Sequence, residues 1–135
     1  MTSVIVDSNV VLDIITGDAA WAPWSSTAIA SIANEATLIL NPLVYAEVSI
    51  RFETIEDLDT ALPTQLFRRE DLPFAAGFLA GKAYYRYRQR GGTRRSVLPD
   101  FLIGAHAAIA GYRVLTRDPK RYRTYFPTLE LISPR

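Results

Sequence analysis

Four short apolar runs punctuate the chain, and helical periodicities fill the stretches between them. Val4-Ile5-Val6 is β-branched and stops at Asp7, the pattern of a strand buried on both faces. Leu38-Ile39-Leu40, Val114-Leu115-Thr116 and Leu129-Glu130-Leu131-Ile132 read as three further strands. Val10, Val11, Leu12 and Ile14 predict a helix closed near Gly17, and a second helix runs from about Pro23 to Glu35. Asn41-Pro42 has the form of an N-cap followed by proline at the first helical position, opening a helix through about Phe52. Residues 54–71 read as helical but polar. Asp71-Leu72-Pro73 opens a longer helix with Phe74, Phe78 and Tyr85 at helical spacing, ending before Gly91-Gly92. Leu98-Pro99 starts another that stops near Gly111, and Asp118-Pro119 caps a short last one. Short apolar strands alternating with helices predict a parallel sheet covered on both faces, one α/β domain over residues 1–135.

Composition sharpens this in two ways. With no cysteine among 135 residues, disulfides, thiolate metal sites and cysteine nucleophiles are excluded. No apolar run reaches the roughly 20 residues that cross a bilayer, and the N-terminus has no basic region or small-residue cleavage site of a signal peptide. The expectation is a soluble cytoplasmic protein with no membrane partner. The net charge of +1 conceals a segregation. Residues 1–81 carry three basic residues against eleven acids, a net of −8, whereas residues 82–123 carry eleven against Asp100 and Asp118, a net of +9. Thirteen of the fifteen cations are arginine, suited to bidentate phosphate contacts and base stacking. Both a nucleic-acid face and mutual neutralisation of the two halves account for such a division.

Four acids stand out by position. Asp7 ends the first strand, and Asp118 lies just beyond the third. In an open parallel sheet both strand ends emerge on the edge where ligands bind. Glu47 lies at i+4 from Leu43 and i+3 from Val44, toward the apolar stripe completed by Val48 and Phe52. A carboxylate there is costly unless paired, protonated or bound to a metal. Asp100 occupies the first turn of a helix whose Ile103, Ala107 and Gly111 share one face. Each acid also has a structural reading: Asp7 and Asp118 as caps, Asp100 as a carboxylate favoured by the helix dipole. Four carboxylates at one sheet edge repel one another, and with neither cysteine nor a histidine cluster the oxygen donors select Mg²⁺ or Mn²⁺ over Zn²⁺.

These segments, taken together, resemble the PIN-domain ribonucleases. Val-Ile-Val-Asp7-Ser8-Asn9-Val-Val-Leu is similar to their opening strand and turn, and Pro42-Leu-Val-Tyr-Ala-Glu47-Val to their second acidic motif. Leu98-Pro-Asp100-Phe-Leu-Ile-Gly-Ala-His-Ala and Val-Leu-Thr116-Arg-Asp118 resemble the third and fourth. The closing Asp-Pro-Lys-Arg-Tyr-Arg-Thr-Tyr-Phe-Pro is similar to the end of many VapC-type toxins of toxin–antitoxin pairs. The resemblance implies a three-layer α/β/α sandwich with a central parallel sheet and Mg²⁺-dependent endonuclease activity on RNA, Mn²⁺ substituting. It implies that Asp7, Glu47, Asp100 and Asp118 are the catalytic metal ligands, with Asn9 and Thr116 as polar support. It implies a cognate antitoxin that occludes the acidic pocket, and a homodimer is expected. The family's alternative outcome is a module that has lost catalysis and only binds RNA or protein.

Three other features bear on function. Arg86, Arg88, Arg90, Arg94 and Arg95 interleave with tyrosines around Gly91-Gly92, a pattern for single-stranded RNA or, equally, for a solvated helix end with Tyr85 in the core. His106, the single histidine, lies among Leu102, Ile103, Ile109 and Ala110 and reads as a satisfied, partly buried residue. Trp21 and Trp24 read as packing groups at a helix start. A haloacid-dehalogenase-type phosphatase is disfavoured because Asp7-Ser8-Asn9 lacks the second aspartate, and no glycine-rich phosphate loop is present.

Overall fold

A computed structural model describes residues 2–94 and 97–134. Strands β1 (Ser3–Val6), β2 (Thr37–Leu40), β3 (Phe67–Arg69), β4 (Arg113–Leu115) and β5 (Leu131–Ile132) form one parallel sheet in the order β3-β2-β1-β4-β5. Helices α1 (Ser8–Thr16) and α2 (Ala22–Ala33) join β1 to β2, and α3 (Pro42–Ser49) and α4 (Ile55–Ala61) join β2 to β3. Then α5 (Phe74–Gln89) and α6 (Leu98–Ala110) lead to β4, and α7 (Lys120–Tyr125) to β5. Helices flank the sheet in the expected α/β/α arrangement. Val4, Ile5, Val6, Leu38, Ile39, Leu40, Val114 and Leu115 are all buried, which is why these strands are unbroken apolar runs rather than alternating ones. Among the described residues no helix is long and apolar enough to cross a membrane.

Topology places the functional edge. The chain starts in the middle strand, crosses to β2 and β3 on one side, and returns to β4 and β5 on the other. The switch point therefore lies between β1 and β4, and in open parallel sheets ligands bind beyond the carboxyl ends of such strands. In register, Val6 stands beside Leu115, so Asp7 and Thr116 leave the sheet side by side, with the Asp7 amide donating to the Leu115 carbonyl at 2.9 Å.

Local chemistry sets the helix boundaries. Gly17 and Gly111 take φ of +65° and +75° and end α1 and α6 in the left-handed conformation that glycine tolerates. Asn41 caps α3 by accepting the Val44 amide at 3.0 Å, with Pro42 behind it as expected. The Asn41 amide nitrogen meets His106 Nδ1 at 3.1 Å, and His106 Nε2 meets Glu70 Oε2 at 3.2 Å. His106 is fully rather than partly buried, and burial holds its pKa below the ordinary value against the raising effect of Glu70. This network anchors the start of the helix that carries Glu47. Trp21 and Trp24 pack edge to face at 6.5 Å.

One sequence expectation fails here, and one open alternative, Tyr85 in the core, is excluded. Residues 54–71 do not form one helix: α4 ends at Ala61 and the chain enters β3. Only Phe67 of β3 reaches the core while Arg68 and Arg69 are exposed, so this edge strand lacks the apolar run that marks the others and is made by pairing with β2. In α5, Phe74, Phe78 and Tyr85 point to water, Phe74 fully and Tyr85 at 61% exposure. The core side is Ala76, Ala80 and Ala83, small residues that let α5 lie close against α6. The same economy of space holds α6 against α7, where a Cβ at Gly104 would lie 2.7 Å from the Phe126 ring.

Candidate active site

Asp7 lies among the other acids at the switch point. Its carboxylate is 4% exposed, and three side-chain hydrogen bonds converge on Oδ2: from Tyr122 Oη at 2.9 Å, Thr116 Oγ1 at 2.9 Å and Asn9 Nδ2 at 3.5 Å. Asn9 Nδ2 also reaches Thr116 Oγ1 at 3.3 Å, so both residues singled out as polar support touch the site. No cation pairs with Asp7 among the described residues. Burial first, and the charge of Asp100 second, push its pKa from 3.8 up to about 6 against the lowering effect of the hydroxyl donors.

Glu47, on α3, is half-buried and accepts a hydrogen bond from Ser8 Oγ at 3.1 Å. Burial raises its pKa, and the charges of Asp7 and Asp100 add to that. Asp100, in the first turn of α6, is paired with Arg121 Nη1 at 2.5 Å. Burial nonetheless keeps its pKa raised, with Arg121 opposing and Asp118 reinforcing the effect. The structure thus brings Asp7, Glu47 and Asp100 into one another's field. Asp118 lies exposed at the rim, its amide donating to Thr116 Oγ1 at 3.0 Å. Neither Asp7 nor Asp118 acts as a side-chain helix cap.

Among the described residues no three acidic or histidine side chains stand close enough together to hold a metal ion as they are placed. At Asp100 a guanidinium already neutralises the carboxylate. The donor set itself fits a hard divalent cation: oxygen only, partly to wholly buried, with proton affinity raised by burial and mutual repulsion. Asp7, Glu47 and Asp100 would hold such an ion, with Asp118 at its edge.

Sequence reasoning missed Tyr122, Ser8 and Arg121. Ser8 adjoins Asp7 and was open to notice. Tyr122 and Arg121 lie in Lys-Arg-Tyr-Arg-Thr-Tyr, where every side chain is amphipathic and no periodicity shows which one turns inward. Of the arginine cluster, Arg90 and Arg94 line a cleft beside the acids, whereas Arg86 and Arg88 are exposed elsewhere on α5; Arg95 lies outside the described residues. A larger hollow of about 670 Å³ opens at the opposite edge of the sheet near Ser3, Tyr112 and Arg113, away from the acids.

Comparison with known proteins agrees with the fold. The PIN domain family model matches residues 4–127, and the chain belongs to that family. Its fold is similar to VapBC2 from Rickettsia felis, solved bound to a DNA fragment from the promoter, at 18% identity, 98% of each chain covered and a TM-score of 0.74. VapBC-1 from nontypeable Haemophilus influenzae gives 16% identity, 98% of each chain and 0.74. FitAcB from Neisseria gonorrhoeae gives 14%, 96% of each chain and 0.69. No curated protein matches the chain by sequence.

Proposed function

We propose that this PIN-domain protein is a Mg²⁺-dependent endoribonuclease, one nuclease domain over residues 1–135, acting in the cytoplasm as the toxin of a toxin–antitoxin pair. The observation that carries the reading is Asp7: a buried carboxylate at the switch point of the sheet, with no cation paired to it among the described residues and with Glu47 and Asp100 in its field. Such a group is costly to bury alone and is stabilised when a cation arrives. Mg²⁺, or Mn²⁺ in its place, would supply a water of lowered pKa and neutralise charge on the phosphoryl oxygens.

The protein's own residues supply the positioning. Tyr122, Thr116 and Asn9 hold Asp7 through Oδ2. Ser8 orients Glu47. Arg121 keeps Asp100 neutralised until a stronger cation competes for it. Hydrolysis by water does not use the ribose 2′-hydroxyl, so the products expected are 5′-phosphate and 3′-hydroxyl ends.

Partner proposals follow the structural relatives, one of which was solved as a toxin–antitoxin complex from Klebsiella pneumoniae. An antitoxin that inserts a basic side chain among the acids would repeat what Arg121 does to Asp100. We also propose a homodimer, supported by the uncovered Phe74, Phe78 and Tyr85 on α5, and Phe78→Glu should lower the sedimentation coefficient if that face joins two copies. A second reading, a module that binds without cleaving, is favoured by one observation: Arg121 already occupies a carboxylate of the proposed set.

One experiment separates the two. Purified protein is incubated with labelled RNA in Mg²⁺ or chelator, as wild type and Asp7→Asn, and the ends are mapped. Cleavage requiring both Mg²⁺ and Asp7 supports the nuclease; RNA bound but intact under all conditions supports the module.

A further inference from the structure

Beside the acids, between the end of α5 and α7, lies a cleft of about 520 Å³. Among the described residues four cations line it, Arg90, Arg94, Lys120 and Arg121, with Asp118 as the single acid. Arg121 is committed to Asp100, but Arg90, Arg94 and Lys120 make no ion pair among the described residues. Converging like charges destabilise a fold unless an anion answers them. The charge of Arg94 is also felt at Asp100, and Arg121 belongs to both cleft and acid cluster, so the two adjoin without a break.

The aromatic wall of the cleft is held in place. Tyr125 packs edge to face on Phe101 at 5.1 Å and against Tyr87 at 6.2 Å. The Arg90 guanidinium lies 5.5 Å over the Tyr125 ring, and the Tyr87 hydroxyl accepts the Arg94 amide at 3.1 Å. A guanidinium plane on a fixed ring, with two more cations within the same hollow, is the chemistry that receives a phosphodiester and its neighbouring base or ribose. A strand drawn to the acids needs such a neighbour, because the acids themselves repel a polyanion.

The geometry points to this cleft as the seat of the nucleotide adjoining the scissile phosphate, with Arg90, Arg94 and Lys120 binding the backbone of single-stranded RNA. The inference rests on the nuclease reading above. Arg86 and Arg88, outside the cleft, take no part.

The test measures binding of a short single-stranded oligoribonucleotide by the full chain in the Asp7→Asn background, across a salt series. Replacing Arg90, Arg94 and Lys120 together by Ala should lower affinity roughly a hundredfold and flatten the log–log salt slope by about 2, three contacts of about 0.7 each. All three side chains are exposed, so the variant should keep its far-ultraviolet circular dichroism and melting temperature. Returning lysine at positions 90 and 94 should restore most of the slope. An unchanged affinity and slope, or an equal loss from replacing Arg86 and Arg88, overturns the assignment while leaving the nuclease reading intact. Unaltered RNA binding with weakened capture of a protein partner overturns it in favour of an acidic protein segment. Failure of the Asp7→Asn parent to bind RNA at all overturns both.

Discussion

Two aspartates, one just before α1 and one within it, are buried almost equally, Asp7 at 4% and Asp13 at 3%, yet their surroundings are opposite. Asp13 receives Arg117 through two contacts, Nε to Oδ2 at 2.9 Å and Nη2 to Oδ1 at 3.1 Å, and the Ser25 hydroxyl at 3.0 Å. Arg117 is in turn held 5.5 Å from the Trp21 ring. Among the described residues Asp7 receives neutral donors alone and faces further carboxylates. One charge is answered within the fold; the other meets no cation among the described residues. The contrast separates an ion pair closed within the fold from a buried carboxylate that meets no cation among the described residues, a distinction that burial alone does not make.

The largest effect that tests this contrast is on turnover. Asp7→Asn should lower RNA cleavage about a thousandfold, the loss of several kcal/mol of metal-derived stabilisation, measured by initial rates on labelled RNA. Cleavage at near wild-type rate would remove Asp7 from the centre of the site.

Stability should respond with opposite signs. Asp13→Asn leaves Arg117 without its charge partner and should destabilise the protein by about 2–3 kcal/mol, less than a wholly buried pair because Arg117 is 31% exposed. Asp7→Asn removes an uncompensated buried charge and should stabilise the metal-free protein by about 1–3 kcal/mol at pH 7. Urea denaturation of both variants checks the pair.

The same asymmetry appears against pH. The pKa of Asp7 is raised in the native state, so between 3.8 and about 6 the native state binds a proton that the unfolded chain has lost. Stability of the metal-free protein should therefore fall as pH rises through that window, by on the order of 3 kcal/mol, and be level above it. In Asp7→Asn this decline should be smaller, the remainder coming from the raised carboxyls of Glu47 and Asp100, as followed by denaturation midpoints across pH.

Metal should reverse the penalty. Mg²⁺ at a hundredfold its dissociation constant stabilises a single native site by about 2.7 kcal/mol. The melting temperature should rise with Mg²⁺ in wild type and Asp13→Asn but not in Asp7→Asn; an equal rise in all three would place the ion elsewhere. The smallest expected effect is that of Tyr122→Phe, which deletes one hydroxyl donor to Asp7 and should cost about 1 kcal/mol while shifting Mg²⁺ affinity.

Much of this site is legible along the chain because strand ends are legible. An apolar run that stops at Asp7, and another followed by Thr116 and Asp118, mark where a parallel sheet opens, and the stripe around Glu47 marks a carboxylate turned inward. The face of α5 was not legible. Aromatics at helical spacing usually pack inward, but here close approach to α6 requires the alanine face, and the aromatics are left in water. The β3 strand was hidden for a related reason, since an edge strand with one buried residue carries no hydrophobic signature.

The order of apolar runs, turns and caps along the sequence determined by itself the alternation of strands and helices, and with it the edge at which the acids emerge. Only the tertiary structure decided which acid meets which cation. Arg117 lies 104 residues from Asp13, Arg121 lies 21 from Asp100, and Tyr122 lies 115 from Asp7. Desolvation and Coulomb energy depend on distance and depth in space, not on separation along the chain. Pattern therefore reveals that a carboxylate turns inward, and only packing reveals whether its charge has been answered.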